Sequence, residues 1–328
     1  MAKKKKKFKS TVIKLVLTIV LLVVAYLIYA FGGFGNNENP NNDTPPNYDI
    51  PSGLAEFHYI DVGQGDAILI RAGGKNVLID TGDKDGDNAL VTYLQNHKVT
   101  ELEYFVITHF DADHFGESVE ILQNFTVKNV LMPNQVKTTN LYENFLTALE
   151  DKPDVNVLVA REDVKIGDKI NVGELEFTVL APLSDEYKDG NDYSVVLMAR
   201  WGKNKFLLTG DAEKESEEEM LAKYKGTELD CDVFKAGHHG SKTSSCQGIL
   251  DKASPQYIVI SCVYDGQKYR HPHRTSLDRF IESGAELYRT DLHGSVVFTT
   301  DGEKITVKTE KTVTDKNQLS FSPEDNAE

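Results

Sequence analysis

Cysteine is scarce: Cys231, Cys246 and Cys262 are the only three in 328 residues, with no C-x-x-C pair. An odd, widely spaced set argues against a disulfide framework, and the apolar runs around Cys231 and Cys262 mark buried thiols. Basic residues are scarce outside the first 31 positions. That segment holds seven lysines and no acid; beyond it 29 Lys and Arg face 51 Asp and Glu, a balance of −22. Such a body cannot hold a polyanion on a general basic surface. A phosphate-bearing substrate needs a local site, for which metal is the obvious device. Repeats and a second linker are also lacking, which leaves one domain of about 255 residues, 54–308.

What stands before that domain differs in kind. Residues 1–10 are a basic, cytoplasmic segment, and 11–31 form an apolar stretch long enough to cross a hydrocarbon core as one helix. Lysines before it and none close after it predict an inside N-terminus and an outside body. A cleaved signal peptide is the alternative, with an unusually long apolar region and a poor cleavage site at Ile28-Tyr29-Ala30. Residues 32–53, rich in Asn, Pro and Gly, read as a flexible spacer, and 309–328 as a disordered polar tail. The expectation is a single-pass protein of the cell membrane with its domain outside. The membrane is its one evident partner besides a substrate; no obligate protein partner is evident.

Short β-rich runs at 54–61, 66–71 and 76–80 open the domain. Helices are expected at 88–96, 117–124, 141–150, 212–224 and 274–283. Strands are expected at 104–108, 155–159, 175–180, 195–201, 205–209, 232–236 and 257–261, with a closing pair near 295–307. Strands arrive in clusters with helices between, which suggests sheets packed on each other with helices outside, an αββα sandwich of the α/β class.

Six of the nine histidines fall in three tight clusters at strand ends, where loops converge over a rigid sheet. THFDADHFG (108–116) packs His109, Asp111, Asp113 and His114 into six positions. His109 with Asp111 suits one cation, Asp113 with His114 a second. FLLTGDAE (206–213) delivers Asp211 beyond an apolar strand, where its two oxygens can bridge two metals; a turn-and-cap aspartate is the plainer reading. In FKAGHHGSKTS (234–244) one of His238 and His239 can point at the site while its neighbour points elsewhere, and His238 is favoured. YRHPHR (269–274) makes a cationic spot of Arg270, His271, His273 and Arg274 for phosphate contact at a helix N-terminus, or else is a surface loop. His58, His97 and His293 are expected at a core edge or in solvent.

HFDADHFG, LLTGD and KAGHHGS, in that order, resemble the metallo-β-lactamase superfamily, and within it the C-terminal hydrolase domain of ComEC-type DNA-uptake proteins and their stand-alone relatives. FHYIDVGQGDAILI (57–70), VLIDTG (77–82), NDYSVVL (191–197) and YRTDLHGSV (288–296) strengthen the likeness, which covers residues 54–308. The resemblance implies a four-layer αβ/βα sandwich, here behind a single N-terminal transmembrane helix, with two divalent ions, Zn or Mn, at one edge. It casts His109 and Asp111 as ligands of one metal and Asp113 and His114 as ligands of the other. Asp211 becomes the bridge, His238 or His239 the last histidine, and Asp80 an aspartate that orients the ligand loop. Two departures stand out. Asp111 replaces the usual histidine, as is frequent in the ComEC-like group. No histidine at all lies between His114 and His238; Asn191, Asp192 and Ser194 occupy the place of the missing ligand and are candidates to reach the metal or a bound water.

The function expected is a membrane-anchored, extracellular, metal-dependent hydrolase, a phosphodiesterase or nuclease using a metal-activated water. Asp113 would orient the nucleophile, with His271 and His273 opposing phosphoryl charge. DNA is the first-choice substrate by resemblance, and the −22 body keeps a smaller phosphodiester, such as phosphocholine or a nucleotide, in competition. A non-catalytic surface binding module with a depleted metal site is the reading from another class.

Overall fold

Along β1 (Ala55–Tyr59), β2 (Ile68–Ala72) and β3 (Lys75–Ile79) alternate side chains such as Phe57, Ile70 and Val77 enter one core, while Leu69 and Leu78 enter another. Strands apolar on both faces belong in the middle of a stack. The computed structural model describes residues 50–84, 88–263 and 269–326, all within one compact unit, Tyr48–Glu328. The expected basic segment, membrane helix and nearly all of the spacer lie outside the described residues. Among the described residues no helix is long and apolar enough to cross a membrane.

After β3 follow α1 (Ala89–Asn96), β4 (Glu101–Val106), α2 (Ala112–Phe115), α3 (Ser118–Asn124), β5 (Thr126–Met132), α4 (Asn140–Glu150) and β6 (Asn156–Val159). The second half holds β7 (Lys169–Val172), β8 (Leu175–Ala181), β9 (Val196–Trp201), β10 (Asn204–Leu208), α5 (Lys214–Lys223), β11 (Val233–Lys235), α6 (Gln247–Ala253) and β12 (Tyr257–Ile260). It ends with α7 (Arg274–Glu282), β13 (Glu286–Arg289), α8 (Thr290–His293), β14 (Val296–Thr300) and β15 (Ile305–Thr309).

One sheet runs in the order β15-β14-β1-β2-β3-β4-β5-β6, the other β13-β12-β11-β10-β9-β8-β7. Phe57 of β1 stacks on Phe206 of β10 between them, ring centroids 3.6 Å apart. Leu90, Ile121 and Phe145 of α1, α3 and α4 cover the outer face of the first sheet. Met220, Leu250 and Phe280 of α5, α6 and α7 cover that of the second. The expected αβ/βα sandwich is the observed one. In each sheet four strands run parallel, β3 to β6 and β10 to β13, so their C-terminal ends share an edge. Sites in such sheets form at those ends.

The sequence reading missed β5, β7, β13, α6 and the single-turn α8. β7 and β13 are only four residues long, and Gly248 weakens the helical pattern of α6. The tail expected to be disordered is ordered through Asn326, with two short 3₁₀ turns at Lys316–Ser320 and Pro323–Asn326. The cause is Arg289, whose side chain is fully buried and pairs with Asp291 at 2.7 Å. Its remaining donors need acceptors, and the tail carbonyls of Gln318, Leu319 and Phe321 supply them, the last at 2.6 Å. The buried Ser322 hydroxyl donates to Pro272 O at 2.8 Å and fastens the tail to the HPH loop.

Deleting residues 316–328 removes those acceptors. Unfolding in urea should show a loss of about 2 kcal/mol, and Arg289→Met in the shortened chain should add to it, because the buried Asp291 carboxylate then loses its partner.

Candidate metal centre

β4 passes directly into Thr108 and His109, and Asp111 opens α2, whose single turn carries Asp113 and His114. The turns after β1 and β3 hold that backbone in place: Asp66 N–H donates to Asp113 O at 3.1 Å, and Thr81 N–H to His114 O at 2.8 Å. Gly65 permits the approach, with φ +122° and room so small that a Cβ would lie 2.0 Å from Asp113 O.

The second sheet contributes the facing half. β10 leads through Thr209 and Gly210 to Asp211, and β11 into Gly237–Gly240. Within that stretch His238 (φ 45°) and His239 (φ 54°) are both left-handed, which throws their rings to different sides. His239 is buried; its Nε2 lies 3.2 Å from His114 Nε2, 3.3 Å from Asp113 Oδ2 and 3.4 Å from Asp211 Oδ2. His238, favoured by sequence, instead binds Glu213 at 2.5 Å, with Nε2 3.8 Å from Asp211.

Three donor sets result: His109 with His114 and Asp211, Asp113 with His114 and His239, and, on the Nδ1 side of His114, Asp66 with Asp80 and His114, each with its donor atoms within 4.8 Å of one another. Behind them stand the groups that aim the rings. Asp80 accepts from the Thr108 N–H (2.8 Å), the Thr108 hydroxyl (2.6 Å) and His114 Nδ1 (2.8 Å). Ser261 O accepts from His239 Nδ1 at 3.0 Å. Both rings therefore present Nε2 to the centre.

Charge is concentrated here. Burial opposes protonation of His114, but Asp211 and Asp80 more than offset it and raise its pKa well above 6.5. His239 is likewise raised, against its burial, to about 9 by Asp211, Asp113 and Asp66. His109, buried and beside His114, is held at about 4. Its Nε2 and Asp211 Oδ1 are buried without a hydrogen-bond partner. Unfilled buried acceptors cost about 1–3 kcal/mol each, and imidazole with carboxylate is a donor set that suits a divalent transition metal. The residues fit such an ion.

Other candidates are turned elsewhere. Asp111 is bound to Lys137 Nζ at 3.1 Å, outside these donor sets. Asp192 caps α5, accepting from the N–H groups of Glu213 (2.9 Å) and Ser216 (3.1 Å), because a helix start leaves such donors free. Asn191 Nδ2 lies 3.3 Å from His238 Nδ1. Of the three replacement candidates Ser194 comes nearest, with Oγ 3.1 Å from Asp211 N and 3.5 Å from His109 Nδ1. His271 reaches the rim, its ring 5.0 Å from His238 and 6.0 Å from His239, with burial holding its pKa near 3. His273 Nδ1 accepts from Lys242 N–H, and Arg274 is taken by Glu324 and Asp325, so that part of the expected cationic spot is already engaged, while Arg270 is exposed. His58 and His97 sit around Tyr93, and His293 Nδ1 bonds the Arg289 backbone.

Two residues escaped the sequence reading. Asp66 is buried beneath the centre, 2.9 Å from Lys235 Nζ and 3.5 Å from His239 Nδ1. Burial raises its pKa, but Lys235 and His239 win and lower it to about 2. The signal was a lysine inside the apolar run VFKAG, fully buried in the fold.

A family model described as the metallo-beta-lactamase superfamily matches residues 60–257. The chain is 31% identical over 269 residues to ComE operon protein 3 of Bacillus subtilis, covering 76% of this chain and 34% of that one. It is 31% identical over 244 residues to Recombination protein 2 of Haemophilus influenzae, covering 72% and 28%. It thus spans about a third of the length of these curated relatives. Among solved structures it is similar to Igni18, a metallo hydrolase of Ignicoccus hospitalis, with TM-score 0.50, 16% identity, and 75% and 98% of the two chains covered. The likeness to CmlA, a diiron beta-hydroxylase of Streptomyces venezuelae, has TM-score 0.50 and 16% identity over 75% and 54%. At these identities the structures speak for the fold alone.

His239→Ala and Asp80→Ala should each weaken binding of Zn or Mn about tenfold or more, whereas His238→Ala should change it less than about threefold. Competition against a chromophoric chelator separates the three, and equal losses for both histidines would contradict the geometry.

Proposed function

The chain belongs to the metallo-beta-lactamase superfamily, and from that premise we propose that it is a metal-dependent phosphodiesterase. The observation that carries the reading is the convergence of donors from both sheets, His109, Asp113 and His114 facing Asp211 and His239. These residues would hold two divalent ions, Zn or Mn. Ions bound there supply Lewis acidity, which lowers the pKa of a water and opposes charge on phosphoryl oxygens.

The chain's own groups do the rest. Asp80 and Ser261 fix the outer nitrogens of His114 and His239, so neither ring needs to reorganise. Asp113 is the donor-set carboxylate open to solvent, its side chain 25% exposed, and is placed to orient a water at the cleft. The neutral His271 ring covers the opposite rim. DNA is the substrate favoured by the names of the relatives, which speak of a ComE operon and of recombination. The −22 balance of residues 32–328 favours a second reading, a smaller phosphodiester such as a nucleotide or phosphocholine ester. In either case the apolar segment at 11–31 would tether the domain at the outer membrane face.

The test is a panel of DNA, RNA, cyclic dinucleotides, phosphocholine esters and a chromogenic bis-aryl phosphodiester, each with Mn, Zn or Mg. Turnover should require Mn or Zn, stop with chelator, and fall about 100-fold in Asp113→Ala. Less than one equivalent of metal together with no turnover would instead mark a non-catalytic binding module.

A further inference from the structure

We propose that Lys137 is the residue that holds a substrate phosphoryl oxygen at this centre, and that the Asp111 carboxylate keeps that oxygen's place in the substrate-free protein. The proposal rests on the hydrolase reading and deepens it, assigning an anion contact within an acidic domain.

A cleft of about 810 Å³ opens beside the donor sets, with Gln64, Lys84, Phe110, Asp111, Asp113 and Lys137 on its walls. An anion entering it meets few available cations. Lys84 is bound to Glu120 at 2.5 Å and points outward, its side chain 60% exposed. The Arg274 guanidinium and backbone N–H, on the far side of His271, are held by Asp325 and Glu324. Lys137 is different: its side chain is three-quarters buried, yet that of its carboxylate partner is 45% exposed.

Position gives that pair its meaning. Asp111 is the cap residue of α2, the turn that carries Asp113 and His114, so the oxygen at 3.1 Å from Lys137 stands on the rim of the centre itself. A pair with an exposed carboxylate contributes about 0–1 kcal/mol. Replacing that carboxylate by a phosphoryl oxygen therefore costs little, and a compact ammonium with three rotatable donors suits the exchange. Gly190 keeps the space open. Its φ of −62° suits any residue, but a Cβ there would come within 3.0 Å of Lys137 Nζ.

Lys137→Met and Lys137→Arg, made in the full chain, decide the matter. With the bis-aryl phosphodiester and Mn, Lys137→Met should raise KM about tenfold or more and leave kcat within about threefold, the loss of one charge-assisted hydrogen bond. Direct titration with inorganic phosphate should weaken by a similar factor, and Lys137→Arg should restore both. Metal affinity of Lys137→Met should be no weaker than wild type, since Asp111 is then untied; a merely structural lysine would not behave so. Unchanged KM and phosphate binding, or loss of metal in step with KM, overturns the proposal. Should wild type turn over no phosphodiester, the hydrolase reading fails, and the phosphate titration still judges Lys137.

Discussion

Three carboxylates, Asp66, Asp80 and Asp211, are buried around the one ring of His114 at the shared edge of two sheets. Buried carboxylates are stable only when paired and hydrogen-bonded. Most of the local architecture answers that demand. Lys235 is drawn fully into the interior to meet Asp66, and His114 and His239 are held where they meet Asp80, Asp113 and Asp211. Against the effect of burial, Asp211 and its neighbouring carboxylates raise the pKa of both rings, and the same negative charge would draw a divalent ion.

Much of this was legible in the chain. Ligand types in one turn, THFDADHFG, must share a neighbourhood whatever the fold, and an apolar strand ending in Asp211 leaves few other placements. The strand clusters likewise dictated two packed sheets. What failed was local orientation. Strand parity stops at Gly237, so nothing in the letters distinguishes His238 from His239; the two left-handed residues decide it. Asp192 was read as a metal contact because it fills a ligand's place, but the unpaired N–H groups of α5 claim it first. The tail was read as disordered because it is polar. Its partners are backbone carbonyls serving Arg289, and no side-chain pattern announces a carbonyl.

The HPH loop shows how one ordered segment revises another. Sequence suggested a free cationic patch there, and the same residues remain adjacent in space. Once the tail folds back, Glu324 and Asp325 neutralise Arg274, and burial keeps His271 uncharged. At the rim of the centre the His271 ring is therefore aromatic and neutral, while Lys137 brings a positive charge beside Asp111.

The His114 to His239 contact spans 125 residues of chain and joins a loop of the first sheet to a loop of the second. With all three described thiols unpaired, this junction takes the role that a covalent staple plays in secreted domains. It is a staple with an adjustable setting. An ion held between the two imidazoles would clasp the halves more tightly than the rings' own contact, and the stability of the sandwich would then vary with the ions in its surroundings.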